Sequence, residues 1–99
     1  MKAIINNKIY DTDKCKSLFT YYRRILKKGI FCDYYVWYEA KILKTTKGTY
    51  LRYTNKPLEK GYEDINELVI ITEEKVKKVL IELNEIDLYQ KEFGKLEEG

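Results

Sequence analysis

The chain has 99 residues and a net charge of +3, with 44% hydrophobic and 35% charged residues. This composition is too apolar for a disordered segment and too polar for a membrane protein, and no run approaches the roughly 18–20 apolar residues that a spanning helix requires. Residues 1–60 carry fourteen Lys and Arg against five Asp and Glu, whereas residues 61–99 carry five against eleven, so we expect a bipolar surface rather than a uniformly basic nucleic-acid binder.

The first predicted elements are a β-hairpin and a helix. Asn6 and Asn7 lie between two short β-prone runs, and because Asn tolerates positive φ, they predict a type I′ turn and a hairpin over residues 2–10. Apolar residues then recur at the spacing of an amphipathic helix, which predicts a helix over about residues 13–28, closed by Gly29. Its buried stripe would consist of Cys15, Leu18, Phe19, Tyr22, Ile25 and Leu26.

The second half of the chain predicts a hairpin, a strand and two helices. Apolar residues alternate with period two from residue 34, a Lys-Gly turn follows, and a second β-prone run closes a hairpin over residues 34–54. An irregular loop is expected from residue 55 to residue 64, which carries the only Pro, and then a short buried strand over residues 67–71. Thr72 caps a predicted helix over residues 73–84, and a last helix is expected over residues 88–93.

These elements predict an α+β fold. The fold would be a small antiparallel sheet, built from the two hairpins and the short strand, with helices about 13–28, 73–84 and 88–93 packed on one face. We expect a single domain over residues 1–99 with a frayed tail at residues 95–99, located in the cytoplasm.

The Cys and His content of the chain argues against catalysis and against a metal site. Cys15 and Cys32 are isolated thiols without CxxC spacing, and the chain has no His. The commonest general base and the usual partner of a Ser or Cys nucleophile are therefore missing, and two distant Cys do not form a zinc site. We expect no enzymatic activity, no metal and no cofactor.

A basic and aromatic stretch is the sharpest cluster in the sequence. Arg, Lys, Tyr and Trp together are typical of protein interfaces and also of single-stranded nucleic-acid binding, while a plain core-and-surface explanation stays open. The predicted partner-binding residues are Tyr21, Arg23, Arg24, Lys27, Lys28, Tyr35 and Trp37. An alternative contact face would use the acidic residues Glu82, Glu85, Asp87, Glu92, Glu97 and Glu98.

The order of segments resembles a family of small proteins of bacterial mobile elements and phages. The residues that carry the resemblance are Lys2-Ala3-Ile4-Ile5, Lys8-Ile9-Tyr10-Asp11-Thr12, Trp37-Tyr38-Glu39-Ala40, Lys47-Gly48-Thr49-Tyr50-Leu51, Ile70-Ile71-Thr72-Glu73-Glu74 and Tyr89-Gln90-Lys91-Glu92-Phe93-Gly94. The chain departs from the pattern at residues 54–58, where a glycine-rich stretch is replaced, and at residues 20–31, which are more basic.

The family that the chain resembles includes anti-CRISPR proteins and related anti-defence inhibitors. The resemblance implies a stoichiometric inhibitor in the cytoplasm of a bacterial host, which binds an RNA-guided CRISPR-Cas nuclease or its guide-RNA complex and blocks nucleic-acid loading or activation. A nucleic-acid-binding regulator of a phage or mobile element is the alternative function, and a structural protein of the element is a third. The oligomeric state, monomer or homodimer, stays open.

Overall fold

The computed structural model describes residues 1–99 and contains two antiparallel sheets and two helices. The elements are β1 (Lys2–Ile5), β2 (Lys8–Asp11), β3 (Lys16–Lys27), β4 (Tyr34–Lys44), β5 (Tyr50–Pro57), β6 (Glu67–Ile71), α1 (Glu73–Glu82) and α2 (Ile86–Phe93). β1 and β2 form a two-stranded sheet, and the other strands form a four-stranded sheet in the order β3-β4-β5-β6. The predicted α+β fold is confirmed, and residues of both helices pack against the same cluster on one face of the larger sheet.

The segment predicted as a helix over residues 13–28 is a strand, so this prediction was wrong. A single 3-10 turn at Thr12–Lys14 follows β2, and the Asp13 amide donates to the Asp11 carboxylate at 3.1 Å. β3 then pairs with β4 in antiparallel register along nearly its whole length. This pairing satisfies the backbone groups on the β4 side of β3, which is an edge strand of the sheet. The aromatic and β-branched side chains fit a pleated strand well.

Both predicted hairpins are present, but the first does not join the larger sheet. Asn6 and Asn7 have φ values of 51° and 62° in a two-residue turn between Ile5 and Lys8, as a type I′ turn requires. β1 and β2 pair only with each other, and β1 lies against β6. The expectation that hairpin 2–10 belongs to the main sheet was therefore wrong.

The remaining element boundaries shift by a few residues. β5 continues to Pro57, three residues into the predicted loop, and a bulge at residues 55–56 accompanies this extension. β6 has the predicted bounds, α1 ends two residues early and α2 begins two residues early. Thr72 caps α1, because its hydroxyl accepts a hydrogen bond from the Lys75 amide at 3.1 Å. Neither helix has the length and apolar character needed to cross a membrane.

The strands of the larger sheet present two faces, which we name after their surroundings. The helix-side face of β4 carries Val36, Tyr38, Ala40 and Ile42, all of them buried, and the outer face carries the alternating residues of β4 from Tyr35 to Leu43. Register carries the same division into β3 and β5, so that residues paired with Ile42 also lie on the helix-side face.

The main core cluster lies between the helix-side face and the helices. Ile42 and Tyr50 pack against Val76 and Leu80 of α1, with α2 and β3 contributing half-buried side chains around them. Only eleven of the 99 residues are buried. The molecule measures 47 × 39 × 21 Å, and its radius of gyration of 15.3 Å exceeds the roughly 13 Å expected for a compact domain of this length. The fold is therefore flat, with a thin core.

A charged cluster fastens α2 to the sheet. The Glu92 carboxylate accepts hydrogen bonds from Lys44 Nζ at 2.5 Å and from the Tyr50 hydroxyl at 2.7 Å. Burial opposes ionisation of Glu92, but the hydrogen bonds from Lys44 and Tyr50 outweigh it and lower the pKa of the carboxyl. Burial and the hydrogen bond to Glu92 raise the pKa of Tyr50 to about 12.

Replacing Glu92 by glutamine is expected to lower the free energy of unfolding at pH 7 by about 1–3 kcal/mol, the usual cost of losing hydrogen bonds to a charged group. Since the pKa of Glu92 is lower in the folded chain than the ordinary 4.5, its ionisation stabilises the fold above that pH, and this contribution is lost as the pH falls. The difference between wild type and Glu92→Gln should thus shrink below pH 4.5.

Urea unfolding at pH 7 and at several lower pH values measures this difference. Glu97→Gln, an exposed substitution in the tail, is the matched control and should follow wild type at every pH. A Glu92→Gln variant with wild-type stability at pH 7 would show that the cluster does not fasten α2.

Candidate binding surface

Five side chains form an exposed aromatic strip on the outer face of the sheet. Alternate residues of β3 and β4 face outward together, and the register places Arg24 opposite Trp37 and Leu26 opposite Tyr35. The strip consists of Tyr22, Arg24, Leu26, Tyr35 and Trp37. Its four apolar members are each about half exposed, between 46% for Trp37 and 55% for Tyr35. Large apolar side chains that stay this exposed next to one another mark a candidate interaction surface.

The Arg24 side chain of the strip is already held in a defined orientation before any partner binds. The Arg24 guanidinium lies 4.4 Å from the centroid of the Tyr35 ring, within the range of a cation–π contact, which is worth about 0.5–1 kcal/mol at an exposed site. The indole of Trp37 stands on the neighbouring strand directly opposite. Because β3 and β4 pair in unbroken antiparallel register from Tyr22 to Leu26, the strip loses little conformational freedom when a partner covers it.

The strip ends at an apolar tip, the turn of residues 28–33 between β3 and β4. Ile30 and Phe31 are 95% and 99% exposed, the most exposed of the large apolar side chains. Gly29 makes this turn tight, because a Cβ at Gly29 would lie 2.0 Å from the Cys32 carbonyl oxygen. The tip extends the apolar surface beyond the end of the sheet.

At its other end the strip borders a polar depression on the outer face. The depression lies beside the bulge of β5, and its wall includes two lysines and one glutamate, namely Lys41, Lys56 and Glu39. Tyr53 lines the same depression and donates its hydroxyl proton to the Asn66 side chain. With Arg24 included, this side of the molecule carries a positive surface beside the aromatic rings.

The seven sequence-predicted site residues do not form one surface, because β3 alternates sides as a strand does. Arg24, Tyr35 and Trp37 come together in the aromatic strip. Tyr21, Arg23 and Lys27 lie on the helix-side face, where Tyr21 packs against the core and Lys27 Nζ lies 5.3 Å from the Tyr38 ring centroid. Lys28 lies beyond the strand and pairs with Asp33 at 3.0 Å.

Sequence reasoning missed Tyr22, Leu26 and the tip. Tyr22 and Leu26 were expected in the buried stripe of a helix, but they are 50% and 46% exposed. The signal that identifies them is the period-two alternation of β3, read together with the outward residues of β4. Ile30 and Phe31 carry a weaker signal, as adjacent apolar residues beside a glycine in a predicted turn.

Arg23 belongs to a half-buried cluster on the helix-side face. Its Nη1 lies 3.4 Å from the Thr54 hydroxyl and 3.9 Å from a Glu67 carboxylate oxygen. Arg52 stands on the same face of β5, and its Nε is buried without a hydrogen-bond partner. An unsatisfied buried donor costs about 1–3 kcal/mol, so this cluster is unusual within the fold.

The acidic residues and the cysteines are placed differently from the strip. Glu82, Glu85 and Asp87 are exposed around the junction of the two helices, whereas Glu92 is engaged by Lys44 and Tyr50. Cys15 and Cys32 are free thiols, and no group of three or more His, Cys, Asp or Glu side chains is arranged to hold a metal ion.

No family model, no curated protein and no solved structure matched the chain.

Proposed function

We propose that the chain is an anti-CRISPR protein, a non-enzymatic inhibitor that binds a bacterial RNA-guided CRISPR-Cas nuclease or its guide-RNA complex. The single observation that supports a binding function best is the aromatic strip, five neighbouring side chains that a rigid sheet holds out to solvent. The family resemblance of the sequence supports the choice of partner and a site of action in the bacterial cytoplasm.

The strip has the residue types that anchor protein interfaces. Tyr, Trp and Arg supply large contact areas at a small cost in side-chain entropy, and they dominate the measured energetics of interfaces. In this proposal Trp37 and Tyr35 fill the centre of the contact, and Arg24 meets an acidic group of the effector. The covered surface of the effector is then lost for nucleic-acid loading or for the activating movement.

A nucleic-acid-binding regulator is the second candidate, and the positive side chains beside the rings favour it. Arg24, Lys41 and Lys56 share the outer face with the aromatic rings, and proteins that bind single strands combine stacking rings with phosphate contacts in this way. Trp37 is the only tryptophan, so its fluorescence reports directly on RNA stacking at the strip. Quenching by single-stranded RNA that disappears steeply with added salt would favour this second candidate.

The inhibitor proposal is tested with a charge reversal in the strip. The tagged chain is expressed in cells that carry several CRISPR systems, and plasmid interference and co-purifying effectors are recorded. Wild type should block interference by one system and co-purify with its effector, and purified chain should stop cleavage at a one-to-one ratio. Arg24→Glu should weaken inhibition by about tenfold or more, since a like charge at a matched contact costs several kcal/mol.

Lys47→Glu is the matched control, because Lys47 is an exposed cation in the β4–β5 turn, away from the strip. It should inhibit as wild type does. Intact plasmid interference with no effector recovered would overturn the inhibitor proposal, and equal inhibition by both variants would overturn the assignment of the strip.

A further inference from the structure

Two arginines stand close together on the helix-side face, and only one of them has a carboxylate partner. Arg23 contacts Glu67 at 3.9 Å and Thr54 at 3.4 Å, whereas Arg52 makes no ion pair with any residue of the chain. The Nε of Arg52 is shielded from solvent without an acceptor. Since buried polar groups are almost always hydrogen-bonded, an unpaired guanidinium nitrogen beside a second guanidinium indicates a missing acceptor.

The two arginine side chains can approach each other because the small residue Ala40 lies between their strands. Arg23 stands on β3 opposite Tyr38 of β4, and Thr54 stands on β5 opposite Ala40. Because Ala40 has only a methyl group, the Arg23 side chain can cross β4 and reach Thr54 on the far strand. Arg52 lies two residues before Thr54 on the same face of β5. Three strands therefore contribute to one cluster.

The charges of the cluster are not balanced. Lys27, on the same face, holds its Nζ 5.3 Å from the ring centroid of Tyr38, the residue opposite Arg23. Of these three cations only Arg23 forms an ion pair within the chain, that with Glu67. Burial lowers the pKa of the Arg23 guanidinium, and the positive charge of Arg52 lowers it further, against the opposite effect of Tyr21 and Glu67. Arg52 and Lys27 therefore carry positive charges without an ion-pair partner, and an anionic ligand would supply one.

We propose that Arg23 and Arg52 form a binding site for a phosphate group, with Lys27 at its edge. A guanidinium presents a fork of N–H donors that suits phosphate oxygens, and the phosphate would supply the acceptor that Arg52 Nε lacks. The site lies on the opposite side of the sheet from the aromatic strip, so this proposal is independent of the proposed inhibitor function. Inorganic phosphate and the phosphate of a nucleotide share the required chemistry.

Thermal unfolding in the presence of phosphate tests the site. A ligand that binds only the folded chain raises its midpoint, so the Tm of wild type in phosphate is expected to exceed its Tm in chloride of equal ionic strength by at least about 4 °C. Adenosine 5′-monophosphate in a parallel series distinguishes the two sources. A larger rise than with inorganic phosphate assigns a nucleotide, and an equal or smaller one assigns the free ion; either supports the site.

Arg52→Gln should fold, because it removes a half-buried charge without a counter-ion, and it should lose the response to phosphate. Arg24→Gln, which removes an arginine from the opposite face, should keep the response. As a second measurement, amide chemical shifts of Thr54 and Glu67 should move on addition of inorganic phosphate in wild type and not in Arg52→Gln. Equal responses to phosphate and chloride, equal responses to phosphate and acetate, or an unchanged response in Arg52→Gln would each overturn the proposal.

Discussion

Replacing Trp37 by alanine is expected to weaken inhibition of the effector by about 30-fold or more. Trp37 lies at the centre of the aromatic strip, opposite Arg24 and on the same face as Tyr35. Truncation of an aromatic anchor at the centre of an interface typically costs about 2 kcal/mol or more, and each 1.4 kcal/mol corresponds to about a tenfold change in affinity. The measurement is the concentration of the chain that halves cleavage by the purified effector.

The control for Trp37→Ala is Tyr62→Ala. Tyr62 is an exposed aromatic residue whose ring lies tilted against that of Tyr34, at a centroid distance of 6.3 Å and away from the strip. Tyr62→Ala should inhibit as wild type does. Both variants should unfold within about 1 kcal/mol of wild type, since surface substitutions usually change stability little. Unreduced inhibition by Trp37→Ala would show that the strip is not the contact surface.

Local sequence patterns were sufficient to predict those elements that are formed by interactions between residues close together in the sequence. The hairpin of β4 and β5 has strict alternation on both strands and a Lys-Gly turn, in which Gly48 has a φ of 88°. Thr72 marks the start of α1, because its hydroxyl caps the helix by accepting a hydrogen bond from the amide of Lys75, only three residues further along the chain. The type I′ turn at Asn6 and Asn7 is equally local. Such elements can be predicted because the interactions that form them lie within a few residues.

β3 could not be predicted in this way, because its sequence fits two periods. Leu18, Tyr22 and Ile25 lie at helical spacing, while Phe19, Tyr21 and Ile25 lie at strand spacing. Propensity is a weak guide where both patterns are present, and the long ladder with β4, a tertiary interaction, decides between them. The aromatic density at Tyr21 and Tyr22 was the one local sign of a strand.

The wrong prediction of a helix in place of β3 also determines how much of the candidate site could be predicted. On a helix Arg24 and Lys28 would share a face, whereas on a strand Arg24 shares a face with Tyr22 and Leu26. The residue types of the site were therefore predicted, but their grouping into a surface was not. The cluster of Arg23 and Arg52 joins residues of β3 and β5 across β4, and no local pattern indicates a contact of that kind.

Replacing Leu80 by alanine is expected to lower the free energy of unfolding by about 2–5 kcal/mol, the usual cost of truncating a buried leucine. Leu80 is 2% exposed and packs with Ile42, Tyr50 and Val76 in the main core cluster. Because only eleven residues are buried, few neighbours can move into the space that the missing side chain leaves. Urea unfolding monitored by circular dichroism measures the loss.

The neighbouring residue of the same helix supplies the control. Ile81 is 64% exposed, and since alanine has a higher helix propensity than isoleucine, Ile81→Ala should unfold at the same urea concentration as wild type or at a slightly higher one. Opposite outcomes at two adjacent positions would confirm that α1 packs on the sheet through the side that carries Leu80. Equal stability of the two variants would instead mean that α1 does not pack on the sheet through Leu80. The sheet that carries the aromatic strip would then lack the helix layer that supports it from the opposite face.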